Sequence, residues 1–314
     1  MTSPSRALPL LLLLATAVSG DPASDAAKEL KRLWGSLDAP RRIEALRALE
    51  PAPSAALLRE CKGWLAEKDP AVRGAVAKAA AACATIPTLR EQARALLADY
   101  LHKQLDARAR REQEEFEAVC RKYGRAIPPD NEMAAGADWK DPYDPKRRAL
   151  PEEIVAERGH MRAVLEAAGG AGGEALRDAA RRVFREHHDP EVVALSATCL
   201  GTLRAWAALP ELADLLRIQS YGREVGGADV IGREPYETMR LKWDVHKDRL
   251  WWSRPEYVPR TGKAIREAAS AIVGLPLESC GAFDRWMLDH ETELAAQGVT
   301  LDAAFRRRAA STQR

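Results

Sequence analysis

The sequence predicts an all-α fold, and three observations carry that reading. Apolar residues recur at spacings of three and four through most of the chain. Ala, Leu and Arg, which give up little on entering a helix, dominate, and runs of β-branched residues are few. Finally, Asp69-Pro70 and Asp189-Pro190 each stand directly before an apolar stripe of helical period. Such a pair starts a helix sharply. The carboxylate accepts from orphan backbone N–H groups, and proline is preset for the first helical position, where its missing N–H costs nothing.

In chain order, the first element expected is a secretory signal over 1–20. Arg6 precedes an apolar stretch from Leu8 to Val18 with five consecutive leucines, followed by small residues up to Gly20. At 11 residues the stretch falls short of the roughly 20 that a membrane-spanning helix needs. Small side chains place cleavage after Ala17 or Gly20. No later stretch is apolar for long enough to span a bilayer, so the mature chain is expected without stable membrane insertion.

Residues 21–123 read as an N-terminal helical region. Leu57, Leu58, Cys61, Trp64 and Leu65 share one helical face; after Asp69-Pro70, Val72, Ala75, Val76, Ala79 and Cys83 form the next stripe. Thr88 to Tyr123 reads as one long helix or two in line, with a charged middle over Arg108–Glu115 expected in solvent. Residues 124–151, rich in Pro, Asp and Gly, break the period and read as a linker.

A second helical region follows over 152–218, and it repeats the first arrangement 120 residues on. Leu176, Ala179, Ala180 and Val183 give one stripe, Asp189-Pro190 the break, and Val192, Leu195, Cys199 and Leu203 the next. Residues 219–260 are an aromatic-rich insert with six of the chain's 18 aromatic residues, where only a short helix near Tyr236–Asp248 is assignable. Residues 261–314 read as a C-terminal helical cap with a basic tail at Arg306–Arg308.

The stretches DPAVRGAVAKAAAA (69–82) and DPEVVALSATCLGTL (189–203) resemble the second-helix signature of HEAT repeats. The first keeps the arginine that commonly follows the valine, as Arg73, whereas the second has Val193 there. KAIREAASAIVGLP (263–276), with Ile265, Ala268, Ala269, Ile272 and Val273 on one face, is a weaker match without the Asp-Pro start, and FDRWMLDHETEL (283–294) resembles the Trp-containing terminal helix of exported bacterial HEAT-like proteins. The resemblance implies an α-solenoid: stacked antiparallel helix pairs of armadillo type, each completing its neighbour's core, with Trp286 as a lid on the last pair. It also implies a protein-binding or scaffolding role. Some HEAT-like proteins are enzymes, so the fold leaves catalysis open.

Charge narrows the partners. Without the signal and its Arg6, 47 basic groups face 46 acidic ones, which argues against nucleic acid, since its binders concentrate a basic excess on one face. Another protein is the expected partner, in the bacterial periplasm or outside the cell, and no cofactor is called for.

Candidate sites divide by their chemistry. In His187-His188-Asp189, the carboxylate is committed to capping and adjacent histidines point apart on a helix. The cluster is therefore read as a helix junction, with the imidazoles at a helix C-terminus, rather than as metal ligands. Asp138, Asp141 and Asp144 lack the EF-hand spacing and glycine, and read as a solvated linker. Of the five cysteines, Cys61, Cys83, Cys120 and Cys199 fall on apolar stripes as small core residues; with Cys280 the odd count allows one disulfide and leaves a thiol unpaired. The insert supplies the candidate binding residues Trp243, Trp251, Trp252, Arg254 and Tyr257, because Trp and Tyr give large, rigid contact area; plugging the helical core would use the same side chains. The alternative is an enzyme using Asp229, Glu234, Glu237, Asp244 or His246 as acid or base.

Overall fold

A computed structural model describes residues 22–122, 152–187, 189–224, 258–277, 279–303 and 305–307. Among them the protein is all-α, built of packed helix pairs without a strand. Residues 1–21, 123–151 and 225–257, which hold the expected signal, the expected linker and most of the expected insert, lie outside the described residues. No described helix is long and apolar enough to cross a membrane.

The described residues fall into two compact units, one within Met1–Leu101 and Pro151–Asp178, the other within His102–Leu150 and Ala179–Arg314. The first contains α1 (Pro22–Leu33), α2 (Ala39–Leu49), α3 (Ala55–Trp64), α4 (Pro70–Cys83), the start of α5 (Arg90–Lys122) and α6 (Glu152–Ala171). Its starts are capped from the sequence. Asp38 accepts from Arg41 N at 3.1 Å, Ser54 Oγ from Leu57 N at 3.2 Å, and one Asp69 oxygen from both Ala71 N and Val72 N at 2.8 and 3.1 Å. The expected face of Leu57, Leu58, Cys61, Trp64 and Leu65 is buried, as are Val72, Ala75, Val76, Ala79 and Cys83. Trp64 stacks on Trp34 with ring centroids 4.1 Å apart, and Trp34 donates through Nε1 to Glu67 at 2.6 Å.

The second unit holds the continuation of α5, most of α7 (Glu174–Glu186), α8 (Pro190–Thr202), α9 (Leu209–Glu224), α10 (Val258–Val273), α11 (Cys280–Asp289) and α12 (Glu291–Ala296). Asp189 accepts from Glu191 N at 2.9 Å and caps α8. Ser279 caps α11 by accepting from Ala282 N at 3.1 Å. Ile265, Ala268, Ala269 and Ile272 are buried, and Gly274, at φ +78°, ends α10 in the left-handed region that glycine enters freely.

In both units the helix launched by Asp-Pro packs most extensively against a helix later in the chain: α4 on α6, and α8 on α10. Missing side chains make this approach close. A Cβ on Gly74 would lie 2.9 Å from that of Ala163, and one on Gly201 would lie 2.8 Å from Ala268 Cα. Backbones meet where neither helix carries bulk.

Two local expectations change. The charged middle of α5 is not uniformly solvated: Arg110, Arg111 and Glu114 are exposed, but Arg108 is 7 % exposed and sets Nη1 2.9 Å from His187 Nε2. His187, which the sequence places at the C-terminus of a helix, is drawn out of solvent as well. It is buried just past the helix end, and its Nδ1 accepts from Asp189 N–H at 3.1 Å. An imidazolium has no nitrogen left to accept, and a guanidinium can only donate.

Candidate functional site

The first unit has a cleft of about 530 Å³ walled by α2, α4 and α6. Its position follows from the helix starts. Asp69 and Pro70, which set where α4 begins, line one end; Gly74, Ala75 and Lys78 continue along the same helix. Opposite them α6 presents Ala156, Gly159, His160 and Ala163, and α2 contributes Ile43, Arg47 and Glu50. The lining includes the small residues Ala71, Gly74, Ala75, Ala156, Gly159 and Ala163, and a Cβ at Gly159 would meet nothing within 4 Å.

The rim is of mixed sign. Arg47 and Lys78 supply positive charge, Glu50 and Asp69 negative charge. Lys78 is engaged with Glu166 at 3.1 Å, with both side chains about half exposed, so the pair adds little stability and can exchange for a ligand's charges. The Asp69 carboxylate is held by the α4 N–H groups, which makes that helix start a poor anion site.

Behind the wall is a buried polar cluster. His160 Nε2 lies 2.8 Å from the Tyr100 hydroxyl, and the rings meet edge to face at 5.7 Å. The Arg73 Nη1 donates to the carbonyls of Glu67 and Lys68 at 2.9 and 3.1 Å, holding the guanidinium where it acts on both aromatic groups. Burial, reinforced by the Arg73 charge, drives the His160 pKa from its ordinary 6.5 down to about 4; the Pro70 carbonyl opposes the change. Burial pushes Tyr100 up to about 12 against Arg73, which favours the phenolate. The histidine at the cleft is thus a neutral, fully packed ring at neutral pH.

The second unit carries a half-buried aromatic cluster. Trp286 stacks on His290 at 4.5 Å and lies 6.2 Å from Trp206, while its Nε1 is buried without a hydrogen-bond partner. Trp286, expected from the sequence as a lid, is half-buried here, with Trp206 as a neighbour 80 residues earlier in the chain.

Trp243, Trp251, Trp252, Arg254 and Tyr257 all lie outside the described residues, as do Asp229, Glu234, Glu237, Asp244, His246, Asp138, Asp141, Asp144 and His188. Cys61, Cys83, Cys199 and Cys280 are buried, and none of the four is in a disulfide. Among the described residues His, Cys, Asp and Glu form no group of three able to hold a metal ion.

No family model, curated protein or solved structure matches the chain.

Sequence reading missed His160 and Tyr100. Arg73 had been singled out as a repeat-signature residue, without its partners. The available signal for His160 was modest: a lone histidine followed at helical spacing by Ala163, Val164 and Ala167, on a face whose other members are apolar.

Proposed function

We propose that the chain is an exported, HEAT-like protein-binding module whose packed helix pairs belong to an α-solenoid, and that the α2–α4–α6 cleft contributes to its binding surface. One observation carries the reading. The cleft is lined by Gly and Ala together with charged groups of both signs, Arg47 and Lys78 with Glu50 and Asp69. Small lining residues admit a polypeptide backbone, and charges of both signs suit polypeptide side chains better than a polyanion or a single charged metabolite. The volume lies within the range of roughly 300–1,000 Å³ typical of ligand sites. Export and a periplasmic or extracellular location rest on the Leu8–Val18 stretch, and the aromatic insert supplies a second proposed contact surface through Trp243, Trp251, Trp252, Arg254 and Tyr257.

The enzyme alternative gains a shifted histidine in a cleft, His160, but that ring is 2 % exposed and its Nε2 is occupied by Tyr100. Burial explains the shift without a catalytic role.

The test uses a photoreactive side chain at Ala156, crosslinked in envelope extract, and then equilibrium binding of the purified partner. Saturable binding lost in Gly159→Trp, or in Trp251→Ala/Trp252→Ala, and kept in a His290→Ala control supports the reading. Equal binding by wild type and both variants removes those two surfaces. Absence of any saturable protein ligand removes the function itself.

A further inference from the structure

The α2–α4–α6 cleft has the form of a seat for one more helix. α2 and α6 both pack against α4, and α4 turns Ala71, Gly74, Ala75 and Lys78 towards the cleft, spaced i, i+3, i+4 and i+7. α6 repeats that spacing with Ala156, Gly159, His160 and Ala163. Gly74 lies against Ala163, and Lys78 pairs with Glu166, so the two stripes run side by side in one direction. From i to i+7 each stripe extends about 10 Å, or two helical turns. The groove therefore follows the helix axes, and its many Gly and Ala residues let a further axis come close.

Hydrogen bonding separates a helical occupant from an extended one. Between Ala71 and Lys78, and between Ala156 and Ala163, the wall backbone lies within α4 and α6, where N–H and C=O groups pair along the helix. The lining holds no Ser, Thr, Asn, Gln or Tyr. Asp69 is committed to capping α4, and His160 Nε2 faces Tyr100. An extended segment would press its inward N–H and C=O groups against walls that cannot bond them, and each would carry its desolvation cost uncompensated. A helix arrives with its backbone already paired and needs only space.

Charge then fixes the register. Arg47 and Glu50 stand on the α2 wall three residues apart, hence on one side of that helix, and neither is in an ion pair among the described residues. On the α4 and α6 side, Lys78 and Glu166 balance each other.

We propose that the cleft seats an amphipathic α-helix of a partner protein, which packs a face of Ala, Gly or Ser onto α4 and α6 and sets an acidic residue against Arg47 and a basic one against Glu50. This occupant presupposes the binding surface proposed above and adds the conformation and charge order of the bound segment.

Fluorescence anisotropy of the full chain with two labelled peptides tests the seat. Each peptide is a helix of about four turns, stapled on its outer face, with Ala and Ser inward. Along the flank one carries Glu three residues before Lys, and the other Lys three residues before Glu. The wild type should prefer one order about tenfold, because each exposed charge contact changes affinity a few fold and the two orders differ at both contacts. That preference should shrink in about 1 M salt. Arg47→Glu/Glu50→Arg should prefer the opposite order. Gly159→Trp, whose added Cβ meets nothing within 4 Å, places an indole in the groove and should abolish saturable binding of both peptides. Failure of the wild type to bind either peptide, equal binding of the two orders, or a preference that the charge swap leaves unchanged would overturn the helical seat. So would equally tight binding of proline-interrupted versions that cannot form the helix. The binding surface itself is judged separately: if Gly159→Trp still abolishes binding of the crosslinked envelope partner, the cleft stands as the protein-binding site while the helical occupant falls.

Discussion

Gly201→Ala should destabilise the second unit, although the same change in an open mid-helix position stabilises. The Cβ it adds would lie 2.8 Å from Ala268 Cα and 3.3 Å from the Ala268 carbonyl oxygen. Carbon atoms in contact sit about 3.5–4.0 Å apart, so the approach is short by roughly 0.7 Å or more, and against backbone no rotamer change relieves it. α10 must shift as a body from α8, at about 1–3 kcal/mol for overpacking of this kind. Against this, Gly→Ala in a helix interior gains about 1 kcal/mol, and less at Gly201, the second-last residue of α8. The net expectation is a loss of about 1–2 kcal/mol. Gly159→Ala in α6, where a Cβ meets nothing within 4 Å, should gain about 1 kcal/mol. Urea unfolding of the two variants should therefore differ in sign. A second comparison separates backbone from side-chain crowding. At Gly74 the obstacle is the Ala163 Cβ, so Ala163→Gly should largely rescue Gly74→Ala; at Gly201 the nearest atom is backbone, so Ala268→Gly should rescue Gly201→Ala poorly. If Gly201→Ala proves as stabilising as Gly159→Ala, the close approach of α8 and α10 is not what holds that pair.

Removing the caps tests the starts of the two Asp-Pro helices. Asp69→Ala leaves the Ala71 and Val72 N–H groups without their acceptor and Asp189→Ala that of Glu191, so each should lower stability by about 1 kcal/mol in urea unfolding, with Asn at either position nearly restoring it. Thiol chemistry tests the core. Burial raises the Cys61, Cys83 and Cys199 thiols, Cys199 to about 12, so peptide-mapped alkylation at pH 8 should leave all three unmodified in the native protein and modify them in urea. Rapid native labelling of any of them would contradict the packing of its helix.

By itself the sequence determined where helices begin and end and which faces they bury. Asp69 and Asp189 cap the helices they were expected to cap, the stretch from Thr88 resolves into one helix over Arg90–Lys122, and the apolar stripes around Cys61, Val72 and Ile265 are buried. These features are decided within about four residues, by one carboxylate reaching the next N–H groups or by the 3.6-residue period, and a sequence displays that range directly. A related punctuation went unread at Asp38, which caps α2 with proline at the second helical position, Pro40, where the Asp-Pro pairs have it at the first. Tertiary structure alone decided the partners: that α4 packs on α6 and α8 on α10, that Tyr100 meets His160 across 60 positions, and that Arg108 is drawn out of solvent to His187 across 79. Each of those depends on which small residues let two backbones meet and on what burial then does to a polar group. Both are properties of the packed neighbourhood, and no window of the chain contains that neighbourhood.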